Sequence, residues 1–249
     1  MKTKQISVDF KEKLGLQYSP VGFYFAENRP DAAIGFKKSG SGCIVPLILT
    51  SAKGKTVAFD ENTCGWACSA FHLGYKDGIF PGIEYFLSNG FLIGRTCERF
   101  VKTPALARKY IKSVRFQEKS KGVAVFKPLE DFNDTEKPEI VIFFANPDQL
   151  SALTFLLYFS ATPDENRVVT KFTSGCGSMV TLPLKYARNG ERKAVWGLHD
   201  ISARTRMPKD LMTMTMPFEF LVEIWQDMDK SFLITDTWGK ILQRSVVTD

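Results

Sequence analysis

Short apolar runs, separated by breaks of glycine, proline and asparagine, recur along the whole chain. Runs that are apolar almost without interruption, as at residues 122–126 and 140–144, predict central β-strands, because such strands are buried on both faces. Segments that open with a capping residue followed by proline, as at Thr103 and Asn146, predict helices. The mixture of the two predicts an α+β fold.

This pattern assigns elements to most of the chain. Predicted strands cover residues 21–25, 56–59, 122–126, 140–144 and 194–198, and residues 211–216 alternate as a half-exposed strand does. Predicted helices cover residues 44–52, 83–88, 147–159, 177–188, 218–225 and 238–246, and another begins at Pro104. Segment 147–159 is apolar nearly all round, so we expect this helix to be buried.

The chain also resembles itself over four short segments in the same order. The matched segments are 20–31 with 138–148, 41–43 with 174–176, 81–87 with 217–221, and 91–96 with 232–237. Chance similarity between short apolar strands is one interpretation. The favoured interpretation is an internal duplication that produced two similar α+β halves, 18–116 and 137–247, joined by the polar stretch 128–137. We expect the halves to pack as one compact unit with a cleft between them.

Composition narrows the class of protein. The 249 residues are 44% hydrophobic, and no apolar run approaches the ~20 residues of a membrane span. The first residues lack the apolar core of a secretory signal, so we expect a cytoplasmic protein with no membrane partner. The net charge of +6 is concentrated in segment 95–121. No nucleic-acid-binding signature accompanies that segment, so a solvated basic face is favoured over a nucleic-acid partner.

Five cysteines supply the main candidate chemistry. An odd count without a secretory signal argues against a disulfide framework. Cys43 and Cys176 each follow Ser-Gly and precede a predicted helix, where free amides and the helix dipole favour a thiolate and lower its pKa. Either thiol is therefore a candidate catalytic nucleophile facing the cleft. The alternative is a small buried residue after a turn glycine.

A metal site is the second use for the thiols. Cys64 and Cys68 are four residues apart, which on a helix places both sulfurs on one face. Together with Cys43 and Cys176, or with Cys97, they form a candidate site for zinc or an iron–sulfur cluster. The spacing matches no standard metal motif, and inert thiols remain the alternative.

A few other side chains are candidates for a ligand site. His199 is one of only two histidines and could act as a general base beside a cysteine. The loop after it brings Asp200, Arg204 and Arg206, and the guanidinium of either arginine could hold a carboxylate or phosphate. Asn146 is expected to cap its helix, and the amides there are a candidate anion site. An ordinary loop histidine and solvated arginines are the alternatives.

Several blocks of the sequence resemble a known family. The blocks are residues 43–57, 64–74, 82–90, 146–153, 175–176 and 197–204. Together they resemble the domain-of-unknown-function 169 (DUF169) family of bacterial and archaeal proteins. The resemblance covers almost the whole chain, and it implies a cytoplasmic prokaryotic protein without supplying a reaction.

Three functions remain open from the sequence. The first is a protein that binds a small ligand or a metal through cysteines at the cleft. The second is a thiol-dependent enzyme that acts on a small anionic substrate held by Arg204. The third is a non-catalytic accessory protein, and a homo-oligomer is possible in each case.

Overall fold

The computed structural model describes residues 2–38, 42–90, 97–115 and 119–244. These residues form a mixed α+β fold around one seven-stranded sheet with the strand order β2-β3-β1-β4-β7-β6-β5. All neighbouring strands pair antiparallel except β5 and β6, which are parallel. The strands are β1 Val21–Ala26, β2 Val57–Phe59, β3 Val123–Pro128, β4 Ile140–Ala145, β5 Val168–Val169, β6 Ala194–Gly197 and β7 Met212–Pro217.

Helices cover both faces of this sheet. The α-helices in the described residues are α1 Lys2–Leu14, α2 Val45–Ala52, α3 Ala67–His72, α4 Ile83–Phe86, α5 Pro104–Ser113, α6 Pro147–Tyr158, α7 Leu182–Arg188, α8 Ile201–Arg204, α9 Phe218–Asp227 and α10 Asp236–Arg244. A π-helical segment, Gly177–Thr181, leads directly into α7. None of the described helices combines the length and hydrophobicity that a membrane crossing requires.

The two faces of the sheet contribute to two apolar cores. In β4, Ile142 and Phe144 pack with α2 and the π-helical segment, while Val141 and Phe143 pack with α1, α6 and α9. Burial on both faces explains why β4 is apolar without a break. The segments before α2 and before the π-helix therefore meet on one face of the sheet.

Two sets of three strands share one topology and one register. Read from the outer strand to the centre of the sheet, the first set is β2-β3-β1 and the second set is β6-β7-β4. In both sets the strand that comes first in the chain is central, the second is outermost and the third lies between them. Val21 pairs with Pro128 at one end of the first set, and Ile140 pairs with Pro217 at the same place in the second. In each set, the chain runs from the first strand to the outer strand through a helix preceded by Gly-Cys.

The structure places the pairs of matched segments at equivalent positions in one case and at different positions in another. Segments 20–31 and 138–148 carry the equivalent strands β1 and β4. Segments 81–87 and 217–221 are not equivalent, because α4 lies outside the sheet whereas α9 directly follows β7. The remaining two matches fall partly on residues 39–41 and 91–96, which lie outside the described residues. Strand β3 pairs with β1 and β2, although the expected boundaries, 18–116 and 137–247, leave it between the halves.

Several predictions about single elements are corrected. Strand β7 is not half-exposed, because the π-helical segment and α7 cover the face that carries Thr213 and Thr215. Helix α6 is not buried all round: the side chain of Phe155 is 69% exposed, and its ring meets Phe232 edge to face. Helix α1 was not predicted at all, because polar residues outnumber its four buried side chains.

Candidate thiol site

Three of the five thiols lie close together on one face of the sheet. Cys43 comes just before α2, Cys68 is the second residue of α3, and Cys176 precedes the π-helical segment. Cys176 is buried, whereas Cys43 and Cys68 are half-buried. The electrostatic influence of Cys43 reaches both other thiols. We call Cys43, Cys68 and Cys176 the thiol site.

A buried hydroxyl lies between two of these thiols. Ser69 is fully buried and lies against the sulfurs of Cys68 and Cys176. Within the described residues its Oγ has no oxygen or nitrogen partner. A buried hydroxyl without a strong partner carries a desolvation cost of about 1–3 kcal/mol.

The thiols are predominantly protonated at neutral pH. Burial raises the pKa of Cys68 to about 11, and burial raises that of Cys176 well above the usual range, in both cases with a further rise from Cys43. Burial also raises the pKa of Cys43, although the Val45 amide and the Arg206 guanidinium oppose the rise. The prediction that helix N-termini lower these pKa values is therefore wrong, because desolvation outweighs the helix dipole.

A backbone contact joins the segment of Cys43 to that of Cys68. The N–H of Trp66 donates to the carbonyl of Gly42 over 2.8 Å. Gly65 lies flush against the same carbonyl, so that a Cβ at this position would be only 2.0 Å from the oxygen. The residue at 65 must therefore be glycine for the two segments to approach this closely.

His72 joins the helix of Cys68 to the segment of Cys176. The hydroxyl of Thr181 donates its only proton to the carbonyl of His72. The same hydroxyl oxygen must therefore accept the hydrogen bond from Nδ1–H of the His72 ring, at 2.9 Å. The free Nε2 then accepts from the hydroxyl of Ser174 at 2.7 Å. That hydroxyl in turn accepts from the N–H of Gly177 at 3.1 Å. The imidazole is therefore neutral, with one tautomer fixed by its partners.

Asp200 joins the segment of Cys176 to helix α8. Its Oδ2 accepts from the N–H of Gly175 at 2.9 Å, and its Oδ1 caps α8 through the amides of Ser202 and Ala203. Leu198 just before it adopts a left-handed backbone with φ of 67°, a conformation that costs energy in a residue with a side chain. This turn directs the loop after β6 towards Gly175.

The two arginines of this loop have different roles. The guanidinium of Arg206 lies near the sulfur of Cys43 and opposes the rise of its pKa, so the loop after α8 comes back to the segment before α2. Arg204, predicted to hold an anion, instead donates to the backbone carbonyls of Pro208, Lys209 and Leu211. It therefore shapes the loop before β7, and the cation beside the thiols is Arg206.

Two other candidates lie apart from the thiols. His199 is exposed, and its Nε2 is 3.2 Å from the carbonyl of Trp196. Asn146 forms the predicted cap of α6, with a reciprocal hydrogen bond from its backbone N–H to Gln149. The first turn of α6 also carries Asp148, which is paired with Arg244. None of these contacts places the side chains at the thiol site.

The other two cysteines do not join the thiol site. Cys64 precedes α3 and packs in the core beneath it, with its sulfur 3.7 Å from the carbonyl of Glu61. It therefore does not share a helix face with Cys68, as the spacing predicted. Cys97 packs against Gly90 at the end of the α4 region. Across the described part of the chain, no three His, Cys, Asp or Glu side chains stand in position to hold a metal ion.

Features outside the site account for other parts of the sequence. In the described part of segment 95–121, Arg108 pairs with Glu84 and Arg115 pairs with Asp77, so part of its charge is neutralised.

A surface pocket of about 400 Å³ lies between the ends of α7 and β7. Its walls belong entirely to the second set of elements, so it is not the predicted cleft.

The sequence matches one family model over residues 9–227. The model is that of DUF169, described as "Uncharacterised ArCR". This chain belongs to the DUF169 family. A search of curated proteins and a search of solved structures each gave no match. The matched range of the DUF169 protein includes every segment of the thiol site, as the resemblance between the sequences predicted.

Sequence reasoning missed His72 and Ser69 as parts of this site. The position of His72, four residues after Cys68, places both side chains on the same face of α3 and was an available signal. Ser69 carries no signal in the sequence, because a serine in a short helix is common. Arg204 and Arg206 are both predicted candidates for an anion, and the contacts of the loop distinguish the two.

The close approach of Gly65 to Gly42 gives a test of the geometry. We expect Gly65→Ala to lower the free energy of unfolding by roughly 1–3 kcal/mol, because its Cβ collides with a backbone oxygen that has no room to move. Urea unfolding measures this change. Gly78→Ala is the matched control, since a Cβ at Gly78 meets no atom within 4 Å. Equal midpoints for the two variants contradict the described packing.

The burial of His72 gives a pH dependence. Burial lowers the pKa of His72 to about 4, whereas the unfolded chain has the ordinary value of about 6.5. The unfolded state thus binds more protons between these values, so this contribution to stability is complete above pH ~6.5 and is lost as the pH falls towards 4. We expect wild type to lose roughly 3 kcal/mol more than His72→Gln over this range. His199→Gln, at the exposed histidine, is the control and should lose as much stability as wild type over this pH range. If His72→Gln also loses as much stability as wild type, the account is contradicted.

Proposed function

We propose that this protein binds a soft or borderline metal ion, such as zinc, through the thiols of Cys43, Cys68 and Cys176. The observation that carries the proposal is the convergence of three thiols from three separate segments around a buried hydroxyl with no oxygen or nitrogen partner. Thiolates are the ligands that soft and borderline metals prefer. A bound cation removes the thiol protons that burial otherwise retains.

The ligand set favours a mononuclear site over an iron–sulfur cluster. The sulfur of Cys64 lies at the Glu61 carbonyl and Cys97 packs against Gly90, so no contact in the described part of the chain brings a fourth thiolate to the three. Asp200 is held by amides on both of its oxygens, which leaves three sulfurs and an open fourth position. Three protein ligands with an open position are typical of zinc sites that bind or activate a further ligand. The three sulfurs do not stand at ligand distances in the described structure, so metal binding requires the cysteine side chains to move together.

The open position suits a small anionic ligand. Cys43 and Cys68 are half-buried, so solvent reaches this side of the site, whereas Cys176 closes the other side. Arg206 is exposed and places its guanidinium beside Cys43. A guanidinium next to a metal attracts a carboxylate or phosphate group. Arg206 therefore takes the role that the sequence suggested for Arg204.

The position of the site supports the internal duplication. Cys43 and Cys176 occupy equivalent places in the two sets of strands that share topology and register. A Cβ at Gly175 would be 3.2 Å from Val45, so the two Gly-Cys segments pack against each other. We infer that a doubled α+β unit created a site at its own junction, which is the place where the predicted cleft would open.

A thiol-dependent enzyme with Cys43 as its nucleophile is the second candidate. Hydrogen bonds from the Val45 amide and from Arg206 to the sulfur favour the thiolate. Burial raises the pKa of Cys43 despite both contacts, which opposes nucleophilic attack at neutral pH. Metal or ligand binding is preferred for this reason. Cytoplasmic location, an accessory role and a homo-oligomer stay predictions.

Cadmium titration of the reduced protein tests the proposal. Absorption from sulfur-to-cadmium charge transfer should rise to a plateau at about one equivalent, since a three-thiolate site holds such an ion tightly. We expect Cys43→Ser, Cys68→Ser and Cys176→Ser each to weaken binding by at least about tenfold. Cys64→Ser and Cys97→Ser are the matched controls and should bind as wild type. Binding below about a tenth of an equivalent, or equal loss in the controls, contradicts the proposal.

A further inference from the structure

We propose that Cys43 and Cys68 form a reversible disulfide that closes the thiol site. The bond makes this pair a site of thiol–disulfide exchange with small-molecule disulfides. The exchange itself depends only on the two cysteines. Its consequence, control of metal binding by oxidation, rests on the function proposed above and adds a regulation to that same site.

The backbone contact between two segments selects this pair among the thiols. Gly42, directly before Cys43, accepts from the N–H of Trp66, two residues before Cys68. Gly65 packs against the same carbonyl with no room for a side chain. The two cysteines are thus brought near each other by a main-chain contact between their segments, as a disulfide between them requires.

Accessibility selects the same pair. Cys43 and Cys68 are both half-buried, so a small disulfide can reach them from solvent. Cys176 is only 4% exposed and lies behind them against Ser69. Cys64 is fully buried in the core, and Cys97 packs against Gly90, away from the site.

The surroundings of the two sulfurs distinguish the attacking thiol. The N–H of Val45 and the guanidinium of Arg206 lie near the sulfur of Cys43 and favour its thiolate, whereas the sulfur of Cys68 lies against Ser69. Because burial keeps both thiols mostly protonated at neutral pH, we expect a slow exchange in which the minor thiolate of Cys43 reacts first and Cys68 is the resolving thiol.

The exchange proceeds in two balanced steps. The Cys43 thiolate attacks one sulfur of a small-molecule disulfide, whose S–S bond breaks, and the departing thiolate takes up a proton. The Cys68 thiolate then attacks the sulfur of Cys43 and expels the second small thiol in the same way. Two protein thiols have lost two protons and two electrons, and one small disulfide has become two small thiols.

Oxidation of the pair removes two of the three proposed metal ligands. Cys176 then remains as a single buried thiol, which does not hold a metal ion by itself. Reduction restores all three ligands. The protein therefore changes its affinity for metal with the thiol–disulfide balance of its surroundings.

Oxidised glutathione under native conditions is the probe. After acid quenching and alkylation of free thiols, peptide mapping of the full-length protein should find Cys43 linked to Cys68. In Cys68→Ser, glutathione should remain attached to Cys43, because no resolving thiol is present. Cys64→Ser and Cys97→Ser should form the same link as wild type. Dithiothreitol should return all variants to free thiols.

Two results overturn the disulfide: no link between Cys43 and Cys68, or a link from Cys43 to Cys176 in its place. Cadmium titration separates this inference from the proposed function. Oxidised protein should bind cadmium at least tenfold more weakly than reduced protein, and equal affinity overturns the regulation. If the link forms but the reduced protein binds no cadmium, the proposed metal site falls while the exchange reaction stands.

Discussion

A closed ring of four polar contacts holds the three thiols together. Hydrogen bonds join Trp66 to Gly42, Ser174 to His72 and Gly175 to Asp200, and the guanidinium of Arg206 lies near the sulfur of Cys43. Each contact joins one segment to the next, and the last returns to the first. A single hydrogen bond contributes only about 1 kcal/mol net, but a buried partner left unpaired costs about 1–3 kcal/mol. The ring therefore favours one arrangement of the four segments over all others.

The sheet makes this ring possible. Because β4 and its neighbours are buried on both faces, α2 and the π-helical segment pack side by side on one of them. Their preceding Gly-Cys segments then meet at the junction of the two equivalent sets of strands. Burial at this junction keeps His72 neutral and retains the protons of the thiols. The proposed function places a soft cation at these thiols and an anionic ligand beside the guanidinium of Arg206.

The sequence predicted what depends on local pattern. Strand β4, the cap of α6 at Asn146 and the cap of α5 at Thr103 follow from apolar runs and from Asn-Pro and Thr-Pro. The family was also identified from short blocks of residues, and the family model confirms it. These features need no knowledge of which segments meet in space.

Tertiary contacts explain the remaining differences. The threonines of β7 alternate as they do on an exposed strand, yet the π-helical segment and α7 cover them. Helix dipoles predicted low pKa values for Cys43 and Cys176, but burial decides the direction of the shift. The guanidinium donors of Arg204 are bound to loop carbonyls, which no pattern in the sequence reveals. His72 acts through Ser174 and Thr181, which are more than a hundred residues away.

The central claim is that Cys43, Cys68 and Cys176 share one site, and a trivalent arsenical tests it most directly, since arsenic bridges only thiols that lie close together. With native reduced protein, one equivalent of arsenite, whose arsenic forms up to three bonds to sulfur, should protect these three thiols from alkylation while leaving Cys97 open. Substitution of Cys43 together with Cys68 should abolish binding. Unchanged arsenical binding in that double variant, or protection centred on Cys97, contradicts the account.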